Sequence, residues 1–488
     1  MELYKNRRCK GYLTIYLSLT LTVMLSLCMT LIEGVRQSTI RLEAECMMDV
    51  ALNSILAEYH RELFAQYNLF YIDSSYGSDY PSYYNTEARL RYYLEQNLDI
   101  EEAAYFDLLY KDIVGMELED IYLKSVALAT DNAGVLFKKQ AAAALQADMG
   151  LVLVENVLNW VQIVEAEGLL KRDMGAEKQT VDEQLESYDN TERKLEEEQW
   201  IMVDIINPTE HIETMRKQGV LKWVVEREEV LSGQKVDLEQ YISERRSRGQ
   251  INQGNANIVS GVSTVEEILF HEYMLQYTGH YGKEKDGSLL KYQAEYLLAG
   301  KAEDVDNLRQ VATRICGIRE VANTIYLYQD EEKEAVADSL AWVLSGAVFY
   351  PELQPLFKAT LLMGWAYVES LYDTKLLLAG GKVPLMKTKA DWHYDLDSIL
   401  ESVDMQLRQE EENAKGLSYT DYLHVLLYLA DSEELTFRFM DLIEMDIRLT
   451  EGNEAFRMDA CIESVEAEGY ISSNYGGRYR ILRKKSYH

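Results

Sequence analysis

Residues 12–32 read YLTIYLSLTLTVMLSLCMTLI, an uncharged apolar run of 21 residues. It lies between a basic N-terminus (Lys5, Arg7, Arg8, Lys10) and Glu33-Gly34. About 20 helical residues, at roughly 1.5 Å each, cross the hydrocarbon core of a bilayer. A cleaved signal peptide has a shorter apolar core and ends in a small-x-small site. Met29-Thr30-Leu31-Ile32-Glu33-Gly34 offers no such site. Lipid attachment at Cys28 needs a small residue before it, and Leu27 stands there. The run is therefore read as a retained single-pass anchor in contact with membrane lipid. The basic N-terminus places itself in the cytoplasm and everything after Glu33 outside.

The helical pattern continues past the apolar run. Residues 36–67 hold no Pro or Gly, and Met48, Leu52, Ile55, Tyr59, Leu63 and Tyr67 form one apolar stripe at helical spacing. This predicts an amphipathic stalk over 35–68. A short strand follows at 69–73, then a Tyr-rich turn, a helix near 86–98, a strand over 117–130 and a turn at Asp131-Asn132-Ala133-Gly134. After that the spacing is helical in segments 135–148, 150–170, 179–201, 209–231, 264–278, 287–299, 303–329, 331–345, 353–379, 418–430 and 433–450. Gly150, Gly300, Gly346, Gly380-Gly381 and Gly452 stand where helices should stop. Residues 246–262 read as a Gly/Asn/Ser-rich loop, and 380–389 (GGKVPLMKTK) as a hairpin or irregular excursion. The pattern returns to β at 457–472 and 478–487, across Asn474-Tyr475-Gly476-Gly477.

The fold class that results is α+β and predominantly α. An N-terminal transmembrane helix (1–34, with its cytoplasmic tip) continues into a stalk helix (35–68). An α/β segment (69–134), a helical body (135–455) and a C-terminal hairpin (456–488) follow. The hairpin completes a small antiparallel sheet begun at 69–73 and 117–130, so that the helical body is an insertion between the second and third strands.

The chain carries 49 Lys+Arg against 82 Asp+Glu, a net charge of −33, and four of the basic residues lie before residue 12. A surface this acidic excludes nucleic acid as a partner, because phosphate binding needs positive charge. Arg478, Arg480, Arg483, Lys484 and Lys485 form a local basic tail. They are read as a basic strand paired with acidic parts of the same protein, with an anionic surface as the alternative. An apolar fraction of 47% belongs to a folded chain. The five cysteines (Cys9, Cys28, Cys46, Cys316, Cys461) make no C-x-x-C or zinc spacing and are read as unpaired.

Few residues suggest chemistry. His271-Glu272 begins an H-E-x-x-H zinc motif, but Leu275 stands in place of the second His. Asp73-Ser74-Ser75-Tyr76-Gly77 is similar to the D-x-S-x-S cation loop of von Willebrand A-type domains, with Gly77 in place of the last Ser. No doubly wound βα alternation follows, and an Asx/Ser turn ending a strand is the preferred reading. Asp391, Asp395 and Asp397 gather around Trp392 and His393, and paired carboxylates serve glycosidases. Asp395 or Ser398 can also start a helix. No G-x-S-x-G, P-loop or Rossmann fingerprint is present. No catalytic, cofactor or metal residue is assigned.

Several stretches look familiar together: 10–19 (KGYLTIYLSL), 31–36 (LIEGVR), 57–63 (AEYHREL), 67–73 (YNLFYID), 295–301 (EYLLAGK), 319–323 (REVAN) and 364–370 (GWAYVES). In these the chain resembles an uncharacterised, domain-of-unknown-function family of membrane-anchored proteins of low-GC Gram-positive bacteria. That family in turn resembles pseudopilin-like (TadE/TadG-like) subunits of tight-adherence (Tad) pilus systems. The resemblance implies a non-enzymatic, extracytoplasmic accessory component of a Tad-type pilus or secretion apparatus, with pilin-like subunits or a secretion platform as protein partners. One departure stands out: prepilins carry Glu five residues after the processed Gly, and after Gly11 that position is Tyr16. The alternatives from other classes are an anchored wall-polymer hydrolase using Asp391, Asp395 or Asp397, and a metal-dependent surface adhesin using Asp73 and Ser75.

Overall fold

The computed structural model describes residues 10–487 apart from 79, 99–115, 147–150, 190–191, 195–199, 203–205, 246–260, 347–349, 402, 404, 407–415 and 475. The expected loop at 246–262, the Gly150 stop and Cys9 lie wholly or mostly outside the described residues. The chain divides into two compact units. A sheet unit comprises the described parts of Met1–Asp131 and Gly452–His488, and a helical unit those of Asn132–Arg246 and Gly261–Glu451.

The sheet unit is built on one helix, Lys10–Leu56. No proline interrupts it, and Gly34 sits in it without a break. Several of its hydroxyls bond back along the helix: Thr22 donates to the Ser18 carbonyl at 2.8 Å and Thr30 to that of Ser26 at 2.9 Å. Back-bonding of this kind is how an apolar helix accommodates Ser and Thr. The helix is long and apolar enough to cross a membrane, and its apolar first part is exposed, from Tyr12 to Ile32. Its last part is not. Ala44, Met48, Ala51, Leu52 and Ile55 are fully buried against Ile121, Val126, Ile462, Val465, Ala467 and Ile471 of the sheet. Gly469 permits the close approach, because a Cβ there would lie 2.6 Å from Met48 Cε.

The helix does not run on to Tyr67 as the stripe predicts. It ends at Leu56, and a second helix spans Arg61–Tyr67. His60 makes the corner. Its extended backbone places Nδ1 to accept from the Leu63 N–H at 3.1 Å, and its own N–H donates to the Tyr71 carbonyl at 2.8 Å. The stripe residues Leu63 and Tyr67 are still buried, because the short helix folds back into the same unit. The Tyr71 carbonyl is spent on that corner, and the first strand shrinks from the expected 69–73 to Ile72–Asp73.

The other strands are Met116–Leu128, Cys461–Ser473 and Arg478–Ser486. All pairings are antiparallel, and Cys461–Ser473 is central. Met116–Leu128 lines one of its edges; Ile72–Asp73 and then Arg478–Ser486 share the other. Three register irregularities interrupt the pairing with Met116–Leu128. Such bulges add local twist, which bends a sheet around a helix. The basic last strand is neutralised at home: Arg478 by Glu119 at 2.6 Å, Arg480 by Glu468 at 2.6 Å, Arg483 by Glu45 at 2.5 Å. The turn at Asp131-Asn132-Ala133-Gly134 is left-handed at its last three residues, with φ of 52°, 56° and 75°.

In the helical unit the two longest helices among the described residues are Asp304–Gln329 and Gln354–Leu378, and much of each is buried. Gly300 caps Gln293–Ala299 at a φ of 61°, its N–H on the Tyr296 carbonyl. Three expected helices are corrected. That at 179–201 is Met174–Ser187, closed by the Tyr188 and Asp189 N–H groups folding onto Leu185 and Glu186; Glu192–Lys194 and Trp200–Met202 then pair as strands. That at 209–231 breaks at Gly219, with a φ of 86°, into Glu210–Gln218 and Leu221–Val224. That at 287–299 begins only at Gln293. The excursion at 380–389 is irregular and tied at one point, where Val383 and Leu417 exchange two backbone hydrogen bonds of 2.9 and 3.0 Å.

Candidate functional site

A fully buried cluster of charge inside the helical unit lies between two of its helices. Gln354–Leu378 contributes Glu369 and Asp373, four residues apart and hence on one face. Asp304–Gln329 contributes Arg319 and Asn323 at the same spacing. All four are fully buried. Arg319 Nε donates to Asp373 Oδ2 at 3.0 Å, and Asn323 Nδ2 donates to the same oxygen at 3.0 Å. The other face of the guanidinium reaches the excursion, where Nη1 donates to the carbonyls of Pro384 at 2.8 Å and Leu385 at 2.6 Å. The excursion returns the contact through Lys387, whose ammonium pairs with Glu369 and, at 2.6 Å, with Asp373 Oδ1. Past it, His393 Nδ1 lies 2.8 Å from Glu369 Oε1, and the N–H groups of His393 and Tyr394 donate to Glu369 as well. Trp365 and Trp392 both donate to the Tyr394 carbonyl, at 2.9 and 2.7 Å.

The ligand atoms of Glu369, Asp373 and His393 lie within 4.8 Å of one another, a spacing that suits a metal ion. The Lys387 ammonium bonds to both carboxylates and occupies the cation's role. Two carboxylates and two cations close a neutral set. Burial works to raise the Asp373 carboxyl, but Lys387 and Arg319 outweigh it and hold it below its ordinary value. This arrangement fastens a loop to two helices. It leaves no carboxylate open to a substrate.

The residues singled out in the sequence fall elsewhere. Asp391 caps a single turn, accepting from the Thr388 N–H at 2.8 Å and hydroxyl at 2.6 Å. Asp395 and Asp397 are exposed at the start of the helix Leu396–Glu401. Clefts of about 610, 400 and 700 Å³ open on the helical unit, and none of these three acids lines them. His271 is buried with no hydrogen bond to either ring nitrogen, and burial pushes it down to about 4. Glu272 pairs at 2.9 Å with His424. Asp73 accepts from the Ser75 N–H at 2.8 Å and hydroxyl at 2.7 Å, the Asx turn that ends its strand.

A second buried group was not anticipated. Glu295 accepts from the Tyr419 hydroxyl at 2.6 Å and the Tyr281 N–H at 2.9 Å, and burial pushes its carboxyl up to about 7. Asp441, beside Tyr296 and Ser243, is pushed up to about 6 by the same cause. A carboxyl raised on folding lends stability below its unfolded value, near 4.5 for Glu295, and that stability is lost as pH climbs through about 7. Glu295→Gln is therefore expected to match the parent near pH 5 and to exceed it by about 2–3 kcal/mol at pH 8. Urea unfolding at the two pH values measures this, and a gain that does not change with pH would refute it.

A family model matches residues 198–473 and is described as a family of unknown function, DUF5702. The chain belongs to this family. The matched segment holds Arg319, Asn323, Glu369, Asp373 and Lys387 together with Glu295 and Asp441, and ends on the last residue of the central strand. The helix Lys10–Leu56 lies outside it. No curated protein and no solved structure matches the chain.

Proposed function

We propose that the chain is a membrane-anchored extracytoplasmic structural or interaction protein, an accessory pseudopilin-like component of a Tad-type pilus or secretion apparatus. One observation carries the reading. A single helix is apolar and exposed over 12–32 and, without interruption, becomes the support on which an antiparallel sheet is packed. Exposing that many large apolar side chains to water is strongly unfavourable, and a bilayer of matching thickness removes the cost. The resemblance to pseudopilin-like subunits supports the Tad setting. The neutral, closed set around Arg319 supports a role in holding shape.

Alkaline carbonate extraction tests the anchor. The parent is expected to stay with the membrane, while Leu21→Arg/Leu25→Arg, at about 2.5–3.5 kcal/mol per charge near the bilayer centre, is expected in the soluble fraction. Retention of the double variant would sink the anchor. External protease tests the orientation and should remove everything after Glu33. Purification in mild detergent tests the setting: pilin-like subunits or secretion-platform proteins should accompany the parent, and their absence refutes the Tad assignment.

A further inference from the structure

The long helix has a second apolar side. Leu17, Leu21, Met24, Cys28, Leu31, Val35, Thr39, Leu42, Cys46 and Val50 follow one another at spacings of 4, 3, 4, 3, 4, 4, 3, 4 and 4. All ten are exposed. Their mean spacing, roughly 3.7, is close to the 3.6 of a straight helix, so the seam stays on one side along its whole length. Where the sheet packs, the seam lies on the opposite side: Val35, Leu42, Cys46 and Val50 are exposed while Ile40, Ala44, Met48 and Ala51 are buried.

Lipid covers only part of this seam. From Leu17 to Val50 it is about 50 Å long, whereas the hydrocarbon core is about 30 Å thick. The stretch from Val35 to Val50 therefore lies beyond the anchor, apolar and in water. We infer that two copies of the chain pair in parallel along this seam, from within the bilayer to the foot of the sheet. The inference rests on the reading of residues 12–32 as an anchor.

Three features favour a second copy over another occupant. Two chains anchored in one membrane stand parallel at equal height, so each seam residue meets itself, and every one of the ten is uncharged. Most charges near the seam are matched within each chain: Glu33 with Arg36 at 2.5 Å, Arg41 with Glu45 at 3.1 Å, and Asp49 with Arg483 and Lys485; Glu43, beside Leu42, is the acid that must stay solvated at the rim. Like charges at these paired positions are thus each screened by a partner of their own. A strip about 50 Å by about 12 Å, counted on both copies, covers on the order of 1,200 Å², the lower bound of specific interfaces. The outer stretch supplies the hydrophobic drive, because lipid-facing residues gain none by pairing.

Cys46 reports on the pairing. The full chain carrying Cys28→Ser is oxidised in its own membrane with copper–phenanthroline and resolved without reductant. A thiol-reversible species of twice the 56.3 kDa monomer mass is expected, and Cys46→Ser should abolish it. In that double background Leu42→Cys and Val50→Cys should restore the species. Arg41→Cys, exposed but off the seam, should give at least five-fold less. Monomer alone, an adduct of another mass, or equal cross-linking from Arg41→Cys would each overturn the inference. Carbonate extraction of the same sample separates the two readings. A soluble chain refutes the anchor, whereas a retained chain that fails to cross-link refutes only the pairing.

Discussion

Arg319→Met is expected to destabilise the helical unit by about 3–5 kcal/mol, the usual result of removing one partner from a fully buried ion pair. The reason is specific. Arg319 donates to Asp373, to the Asn323 amide and to the carbonyls of Pro384 and Leu385. Methionine fills similar space but leaves those two carbonyls without this donor and Lys387 as the sole cation beside both Glu369 and Asp373. An unpaired buried acceptor costs about 1–3 kcal/mol, and a charged one more. Arg319→Met/Asp373→Leu removes both charges and is expected to cost less than the sum of its parts, because the two residues share one interaction. Urea unfolding of the three variants measures this. Additive losses, or a loss below 1 kcal/mol for the single variant, would show that the set is not a coupled one.

Truncation after Glu451 is expected to abolish the sheet unit while sparing the helical one. Every pairing in the four-stranded sheet involves Cys461–Ser473. Its inward residues Ile462, Val465, Ala467 and Ile471 form the wall against which Met48, Leu52 and Ile55 are buried. Without it Met116–Leu128 has no partner, and an isolated strand is not stable in water. Limited proteolysis should cut the truncated chain within 36–98 and 116–128 at least ten-fold faster than the parent and leave 264–346 and 418–446 resistant. Equal protection of 36–98 and 116–128 in both would contradict the central role of the strand.

Much of this architecture was legible in the sequence because it rests on long periodic signals. The alternation around 117–130 and the late return to β after residue 457 each reflect one buried face, and the apolar run marks the exposed part of the long helix. They led to the sheet closed across a helical insertion. What was illegible depended on single contacts between distant residues. The stripe at Met48, Leu52 and Ile55 continues through Leu63 and Tyr67, and nothing local reveals that His60 will bind the Tyr71 carbonyl and turn the chain. The Ser187-Tyr188-Asp189 end of the helix at 179–201 was a turn signal masked by the charged, helix-prone residues after it.

The buried charges were missed for a different reason. Glu369 sits in GWAYVESL, an apolar segment with no solvent face, and Asp373 one turn later repeats the anomaly. A carboxylate where a helix has nowhere to expose it signals a buried partner. The acids at 391, 395 and 397 attracted notice because they were adjacent, yet they are a cap and two exposed side chains. Burial, which sequence adjacency does not report, separates the two groups.

The unbroken helix Lys10–Leu56 also acts as an angular gauge. No break separates its exposed apolar part from the part that carries the sheet, so with residues 12–32 in lipid as proposed, the compass direction in which the sheet faces around the membrane normal is set by the number of residues between them. One added residue between Glu33 and Ile40 would swing the sheet by about 100° and lift it about 1.5 Å, whereas seven would raise it about 10 Å and return it almost to its first heading. On the proposed anchoring, the distance from bilayer to sheet can therefore change without turning the sheet only in steps of whole turns.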